Sequence, residues 1–358
     1  MDLRETIAGI APADAEAMRA AEARQASLTK PPGSLGRLEE LSVRLAGMQG
    51  TARPVIRGKT IIVAAGDHGV VAQGVTAYPQ EVTAQMALNF LSGGAAISVL
   101  ARQAEIELVI VDAGMATALP EHSALRVLGI GRGTADMTVG PAMTRGQAEA
   151  CVSAGVEFAL EAAERGADVI GTGDMGIGNT TASSAIVAAL TGRPPDETTG
   201  RGTGRSDTEL AAKAAVVERA LAVNRPDAGD PLDVLSKVGG FEIGVLAGVV
   251  LGGAYARRAV IIDGFISGAA ALIAHRLCPR VCEYLIAGHL STEAGHRIVL
   301  EALGLRPLLE LDMRLGEGTG AALAMGVLEA AAAALSDMAT FMEAGVSDRP
   351  AVEKGGMD

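Results

Sequence analysis

The sequence predicts an α/β protein, a parallel sheet flanked by helices, with a small helical domain built from the two chain termini. Three observations carry this. Five short, unbroken apolar runs each end at a glycine beside a polar side chain. Helical patterns separate the runs, which suits strands buried on both faces and joined by right-handed crossovers. The terminal segments show helical periodicity only, so 1–55 and 320–358 are expected to form the small domain and 56–319 the large one.

The runs are Thr60–Ala65, closing on Gly66-Asp67-His68-Gly69, and Ile106–Val111, closing on Asp112-Ala113-Gly114. Asp168–Ile170 ends in the turn Gly171-Thr172-Gly173-Asp174, Ala259–Ile262 in Asp263-Gly264, and Tyr284–Ala287 in Gly288-His289-Leu290-Ser291. A ligand site along the carboxyl ends of these strands follows from the sheet type. Residues 12–50 read as two helices joined by Leu28–Ser34, with Ser34 as N-cap and Leu35, Leu38, Leu41, Leu45 and Met48 at helical spacing. Pro79 opens a helix with Val82, Met86 and Phe90 on one face. Thr144 with Gln147 and Ser206 with Glu209 make capping boxes; the first helix runs to Gly166 and the second carries Lys213. Thr180–Leu190 is a short apolar helix closed by Gly192, and Thr319 caps an Ala/Leu/Met-rich helix reaching about Met338.

Composition narrows the function. The chain has 358 residues, 49% hydrophobic but only 2% aromatic, so the core must be aliphatic side chains and glycine in close contact. A formal charge of −12 argues against nucleic acid as a partner, since phosphate neutralisation needs a basic face. No membrane span is expected: apolar stretches such as Val245–Val250 lie among glycines. Met1–Arg4 leads into no signal-peptide core, and the expected location is the cytoplasm. Of the three cysteines, Cys278 and Cys282 lie four apart with His275 and His289 near, but without a second ligand pair they read as reduced thiols rather than a zinc site. No metal and no cofactor are expected.

Two stretches carry the chemistry. Gly171–Thr181 follows a strand and opens a helix, so backbone N–H groups and the helix dipole suit an anion such as phosphate. It also matches Gly-x-Gly-x-x-Gly, yet the acidic strand end that a dinucleotide site needs about 20 residues on is replaced by the loop Gly192–Glu197. Gly200–Arg205 precedes the helix with Lys213, and together they could add donors and a cation; a solvated helix lysine is the plainer reading. In the second stretch, Leu311–Gly320, three glycines bracket Glu317, which could be an incidental charge in a loop leading into a helix or a carboxylate held for chemistry. Asp67, Asp112 and Asp263 could bind sugar hydroxyls at strand tips or simply cap turns. His68 and His289 are also tip residues, but no Ser/Cys–His–Asp order suggests covalent catalysis. These residues together suggest a phosphorylated sugar or nucleotide ligand with Glu317 as candidate base.

At these motifs the chain resembles the nicotinate-nucleotide–dimethylbenzimidazole phosphoribosyltransferases. The matching pieces are Lys30–Glu39, Asp67–Val70, Met175–Thr181, Val234–Phe241, Asp263–Phe265 and Met313–Gly318. The resemblance implies a homodimer with a large Rossmann-like domain and a small helical one. It implies transfer of phosphoribosyl from nicotinate mononucleotide to 5,6-dimethylbenzimidazole, with Glu317 as general base. Gly176, Gly178, Asn179, Thr180, Lys213 and Ser291 would hold the phosphoribosyl part, and Tyr78, Met86 and Leu315 the benzimidazole; Gly202 and Asp263 are further expected substrate-binding residues. The family commonly has Glu where this chain has Asp174, so that second catalytic carboxylate is one methylene shorter here. A nicotinamide-cofactor oxidoreductase and a non-catalytic nucleotide-binding module are the other classes these loops could serve.

Overall fold

A computed structural model describes residues 3–200 and 207–347. In chain order, α1 is Leu3–Gly9, α2 Ala15–Ser27 and α3 Arg37–Gln49, followed by the first strand, β1, Gly58–Gly66. Helices α4, Glu81–Leu91, and α5, Ala96–Gln103, precede β2, Glu107–Gly114, and the short β3, Leu125–Val127. Then come α6, Arg145–Glu164, β4, Ala167–Met175, α7, Asn179–Thr191, α8, Pro195–Thr198, and α9, Asp207–Asn224. The chain continues through α10, Pro231–Val238, α11, Phe241–Tyr255, β5, Ala259–Ile262, α12, Phe265–Leu277, and β6, Leu285–Ala287. It closes with α13, Ala294–Leu303, α14, Thr319–Asp337, and α15, Phe341–Ala344.

The strands form one sheet in the order β3-β2-β1-β4-β5-β6, every pair parallel. This is the doubly wound Rossmann order, in which the chain reverses direction across the sheet between β1 and β4 and leaves a crevice at their carboxyl ends. Five of the strands are the five apolar runs. β3 escapes the pattern because it is three residues long and only Leu125 is buried, Val127 being 65% exposed.

The aliphatic core works through glycine. On one face of the sheet, Ile170 and Val260, paired across β4 and β5, lie against Gly253 of α11. On the other, Ile61 and Gly171 meet Ala321 and Met325 of α14. Helix α11 is buried without interruption from Phe241 to Ala254. It crosses α6 backbone to backbone: a Cβ on Gly155 would fall on the Val245 carbonyl, and one on Gly248 on the Val152 carbonyl.

The strand β4 runs on through Gly171-Thr172-Gly173-Asp174, which is therefore no turn. Glycine in a strand interior marks another backbone close by. A Cβ at Gly173 would collide with the carbonyl of Glu317. The turn proper is Met175–Gly178, ending at Gly178 with φ 97° as the N-cap of α7.

Two compact units are present, Met1–Pro12 with Ile56–Val327 and Ala13–Val55 with Leu328–Asp358. The first twelve residues thus group with the large unit rather than the helical one. Arg280 donates to the Ile10 carbonyl at 2.6 Å, Tyr284 to Ala11 at 2.9 Å and Arg257 to Pro12 at 3.2 Å, anchoring that segment by its backbone. The second boundary falls inside α14, after Val327, instead of at its start.

In the small unit, Ala21, Ala46 and Leu335 form the core, Gln25 donates to Ser42 at 2.8 Å, and Arg24 binds the carbonyls of Leu335, Ser336 and Met338 at the end of α14. Ser34 does not cap α3. The helix starts after Gly36, φ 54°, and Glu39 instead accepts from the Gly33 and Leu35 N–H groups and pairs with Lys30 at 2.7 Å. The Thr144–Gln147 capping box is present. Pro79 lies ahead of α4, which begins at Glu81. Ser206, the proposed cap of α9, lies outside the described residues.

The α6–α11 crossing generates a stability expectation. Gly248→Ala gains helix propensity, about 1 kcal/mol, but sets a methyl on a backbone carbonyl that cannot swing aside. Overpacking of this kind costs about 1–3 kcal/mol, so the variant should be less stable than the parent in denaturant unfolding. An unchanged or raised midpoint would show that the two helices are not in backbone contact.

Candidate active site

A cavity of about 670 Å³ opens at the carboxyl ends of the strands, between the crossovers that follow β1 and β4. Its walls come from four places. Val75, Thr76 and Tyr78 follow β1, with Val82 and Met86 of α4 beside them. Asp174 to Thr180 come from β4 and the start of α7, and Lys213 from α9. Gly264, Phe265 and Ile266 follow β5; His289, Ser291 and Glu293 follow β6. Arg314, Leu315, Gly316 and Glu317 close the remaining side.

Glu317 sits where the chain is least free. Gly316, Glu317 and Gly318 are three successive residues in the left-handed region, φ 85°, 63° and 92°. A glutamate there costs about 1–3 kcal/mol and persists only if its surroundings hold it. The Glu317 N–H donates to the Asp174 carbonyl at 3.1 Å, the Gly318 N–H to Asp263 at 3.1 Å, and the side-chain Oε2 accepts the Ile97 N–H at the start of α5 at 3.3 Å. Only 4% exposed, Glu317 has its carboxyl raised above the usual range by burial, with the Ile97 donor opposing. Thr319 is the first residue of α14, not its cap; its hydroxyl donates to the Gly316 carbonyl at 2.9 Å.

The cap of α14 comes from β5. Asp263 accepts the N–H groups of Gly320 at 2.7 Å and Ala321 at 3.1 Å as well as that of Gly318. It is fully buried and does not line the cavity, so it orders the Glu317 loop rather than facing a sugar. Burial outweighs these three donors and pushes its carboxyl up to about 7. Asp67 and Asp112 are likewise turn caps, accepting from Ala116 and from Gly114 and Met115.

Asp174 does face the cavity. Its Oδ2 accepts from Asn179 Nδ2 at 3.0 Å, and Oδ1 is buried with no hydrogen-bond partner. Burial, then the nearby carboxyls of Asp263, Glu242 and Glu317, hold it well above the usual carboxylate range, with the Asn179 donor opposing.

The turn at the start of α7 lies where the local sequence suggests. The Gly176-Ile177-Gly178 turn opens α7, the Thr180 hydroxyl accepts from Lys213 Nζ at 2.8 Å, and that lysine is 2% exposed. A buried ammonium beside a helix N-terminus is an arrangement that suits an anion. The Gly-rich stretch follows the fourth strand, whereas a dinucleotide fingerprint occupies the first strand's turn.

The cavity therefore gathers Tyr78, Met86, Asp174, Gly176, Gly178, Asn179, Thr180, Lys213, Ser291, Leu315 and Glu317; Gly202 lies outside the described residues. Among the described residues no cluster of three metal-ligating side chains is present, and Cys282 Sγ lies 3.2 Å from His275 Nδ1 instead. Sequence reasoning missed Glu242, which pairs with His68 at 2.7 Å with both side chains buried. Burial alone would depress His68, but the Glu242 charge raises it. The missed signal was a lone acid opening an otherwise apolar helix. Glu293, Arg314 and the assignment of His289 to the cavity were also missed.

Comparison with known proteins agrees with this geometry. The family model described as a phosphoribosyltransferase matches residues 10–346. The chain is 59% identical over 347 residues to the nicotinate-nucleotide–dimethylbenzimidazole phosphoribosyltransferase of Roseiflexus sp. (strain RS-1), spanning 97% of this chain and 98% of that one. The protein of the same name from Desulforudis audaxviator (strain MP104C) is 57% identical over 345 residues, spanning 96% and 98%. A crystal structure of the protein of that name from Thermus thermophilus superposes with a TM-score of 0.89 at 50% identity, covering 94% of this chain and all of that one. With family model, relatives and fold in agreement, the chain is a phosphoribosyltransferase and belongs to the nicotinate-nucleotide–dimethylbenzimidazole phosphoribosyltransferase family.

Proposed function

We propose that this enzyme moves the phosphoribosyl group of nicotinate mononucleotide onto 5,6-dimethylbenzimidazole, giving α-ribazole 5′-phosphate and nicotinate, with Glu317 as general base. The observation that carries the reading is that a buried carboxylate and a phosphate seat share one cavity. Phosphate on the Gly176–Thr180 turn and Lys213 leaves the ribose between that seat and Glu317, with the aromatic base among Tyr78, Met86 and Leu315. Glu317 takes the benzimidazole N–H proton while the other ring nitrogen attacks C1′. The C1′–nicotinate bond breaks, its electrons quench the pyridinium charge, and attack from the opposite side turns a β-linkage into α. The family resemblance also supports a homodimer, and the sequence expectation of a cytoplasmic location stands beside it as a proposal.

Glu317→Gln keeps the shape and the Ile97 contact, and should lose kcat by about 10²–10⁴-fold, the worth of a positioned base. The base must be ionised, and burial raises its pKa, so the parent rate should fall with acid at a midpoint above the ordinary glutamate value of about 4.3. Steady-state rates against pH test both; a variant with parental kcat, or with the same acid limb, refutes the role.

Lys213→Ala should weaken nicotinate mononucleotide far more than dimethylbenzimidazole in calorimetry, and the unphosphorylated riboside should be a poor substrate. Equal losses for both ligands would displace the phosphate from this seat.

Asp174 is proposed as a supporting group rather than the principal base. Burial raises its carboxyl and favours the neutral form, which asparagine matches closely, so Asp174→Asn should lose less kcat than Glu317→Gln. The reverse ranking in the same assay would exchange their roles.

A further inference from the structure

The geometry points to His289 as the acceptor of a ribose hydroxyl, a contact that selects ribosyl over deoxyribosyl donors. It deepens the proposed function by naming what the middle of the cavity recognises. His289 follows β6 at the cavity wall and is 1% exposed. Its Nδ1 is buried with no hydrogen-bond partner, and faces Asp263 Oδ1 at 3.6 Å. A lone pair pointed at that carboxyl oxygen would be repelled, so Nδ1 carries the proton. Burial keeps the ring neutral, which leaves Nε2 as a lone-pair acceptor.

That nitrogen lies on the side of Gly264 and Ser291, both cavity residues. A Cβ built on Gly264 would stand 3.7 Å from Nε2 and 3.9 Å from Ser291 Cβ, so glycine there leaves the ring edge open. The ring is otherwise held: the chain bridges to Leu309 beside it, and Gly320 packs against Nδ1 so closely that a Cβ would overlap it. A neutral acceptor repels phosphate and carboxylate and cannot bind a pyridinium nitrogen, which has no hydrogen. Among the groups of a mononucleotide, the ribose hydroxyls are the donors left, and in the proposed pose the ribose lies between Lys213 and Glu317, which line the same cavity as His289.

The test compares ribose 5-phosphate with its 2-deoxy and 3-deoxy forms by calorimetry on the parent, His289→Asn and His289→Gln. Asparagine places its amide near the Nδ1 position and leaves Nε2 empty; glutamine reaches the Nε2 position. The parent should bind ribose 5-phosphate about 10- to 100-fold more tightly than one of the deoxy forms, the worth of one hydrogen bond whose buried partner would otherwise go unmet. In His289→Asn that ratio should collapse toward unity, while His289→Gln keeps part of it; thermal unfolding and binding of inorganic phosphate should stay parental. A parent that does not discriminate, or a His289→Asn variant that folds normally and discriminates equally, overturns the inference. Product formation from nicotinate mononucleotide is assayed separately: a parent that selects ribose 5-phosphate but makes no ribazole phosphate would refute the proposed reaction and leave this subsite standing.

Discussion

Asp263 at the tip of β5 accepts backbone hydrogen bonds from Gly318, Gly320 and Ala321, and much of the site depends on that arrangement. The carboxyl stands in for the side-chain cap that α14 lacks in its own sequence, and it fixes the exit of the loop carrying Glu317. The energies are balanced closely. Left-handed Glu317 costs about 1–3 kcal/mol, and three ordinary hydrogen bonds contribute about 0.5–1.5 kcal/mol each. The loop therefore keeps its shape when all three bonds form, and the same carboxyl lies 3.6 Å from His289 Nδ1. One side chain outside the cavity thus orders the loop of one group that lines it and stands beside another.

Close approach between backbones is the second constraint. Gly173 lets the Glu317 carbonyl lie against β4, Gly171 admits α14, and Gly155 with Gly248 lets α6 and α11 touch. A chain with 2% aromatic residues cannot fill wide gaps with rings, so its elements must sit near one another. That closeness is also what brings Asp174 and Glu317 together: they are joined by a backbone bond from Glu317 N–H to the Asp174 carbonyl, not by their side chains.

Much of this was legible in the chain. The apolar runs predicted five of the six strands because strands buried on both faces need no alternation. The Gly176–Thr180 turn, proposed as the phosphate seat, could be placed because a helix N-terminus is a local feature. Asp263 could not be assigned: it is 55 residues from Gly318, and whether a strand-tip acid meets a sugar or a backbone depends on a crossover that sequence leaves open. The Gly171-Thr172-Gly173 stretch misled for a related reason, since glycine signals a turn locally but here answers to Glu317, a distant neighbour. Glu242 and His68 pair across 174 residues, and only the fold brings them together.

The acids in and beside this cavity bear on the role proposed for Glu317 as a base. Burial raises Glu317, Asp174 and Asp263 alike, the last to about 7. Acids this close titrate as a set rather than singly. Burial and the neighbouring carboxyls favour the neutral form of Asp174, which lessens the negative charge gathered around the site. A raised pKa makes the ionised Glu317 a better proton acceptor than a surface glutamate. The same shifts act against folding. Each of these groups binds its proton more tightly in the native protein than in the unfolded chain, so the stabilisation they give is full below about 4 and is lost as pH rises, for Asp263 through about 7. At neutral pH the enzyme therefore holds Glu317, the proposed base, in a loop that costs stability in backbone and in charge, and the hydrogen bonds to Asp263 keep that loop in place.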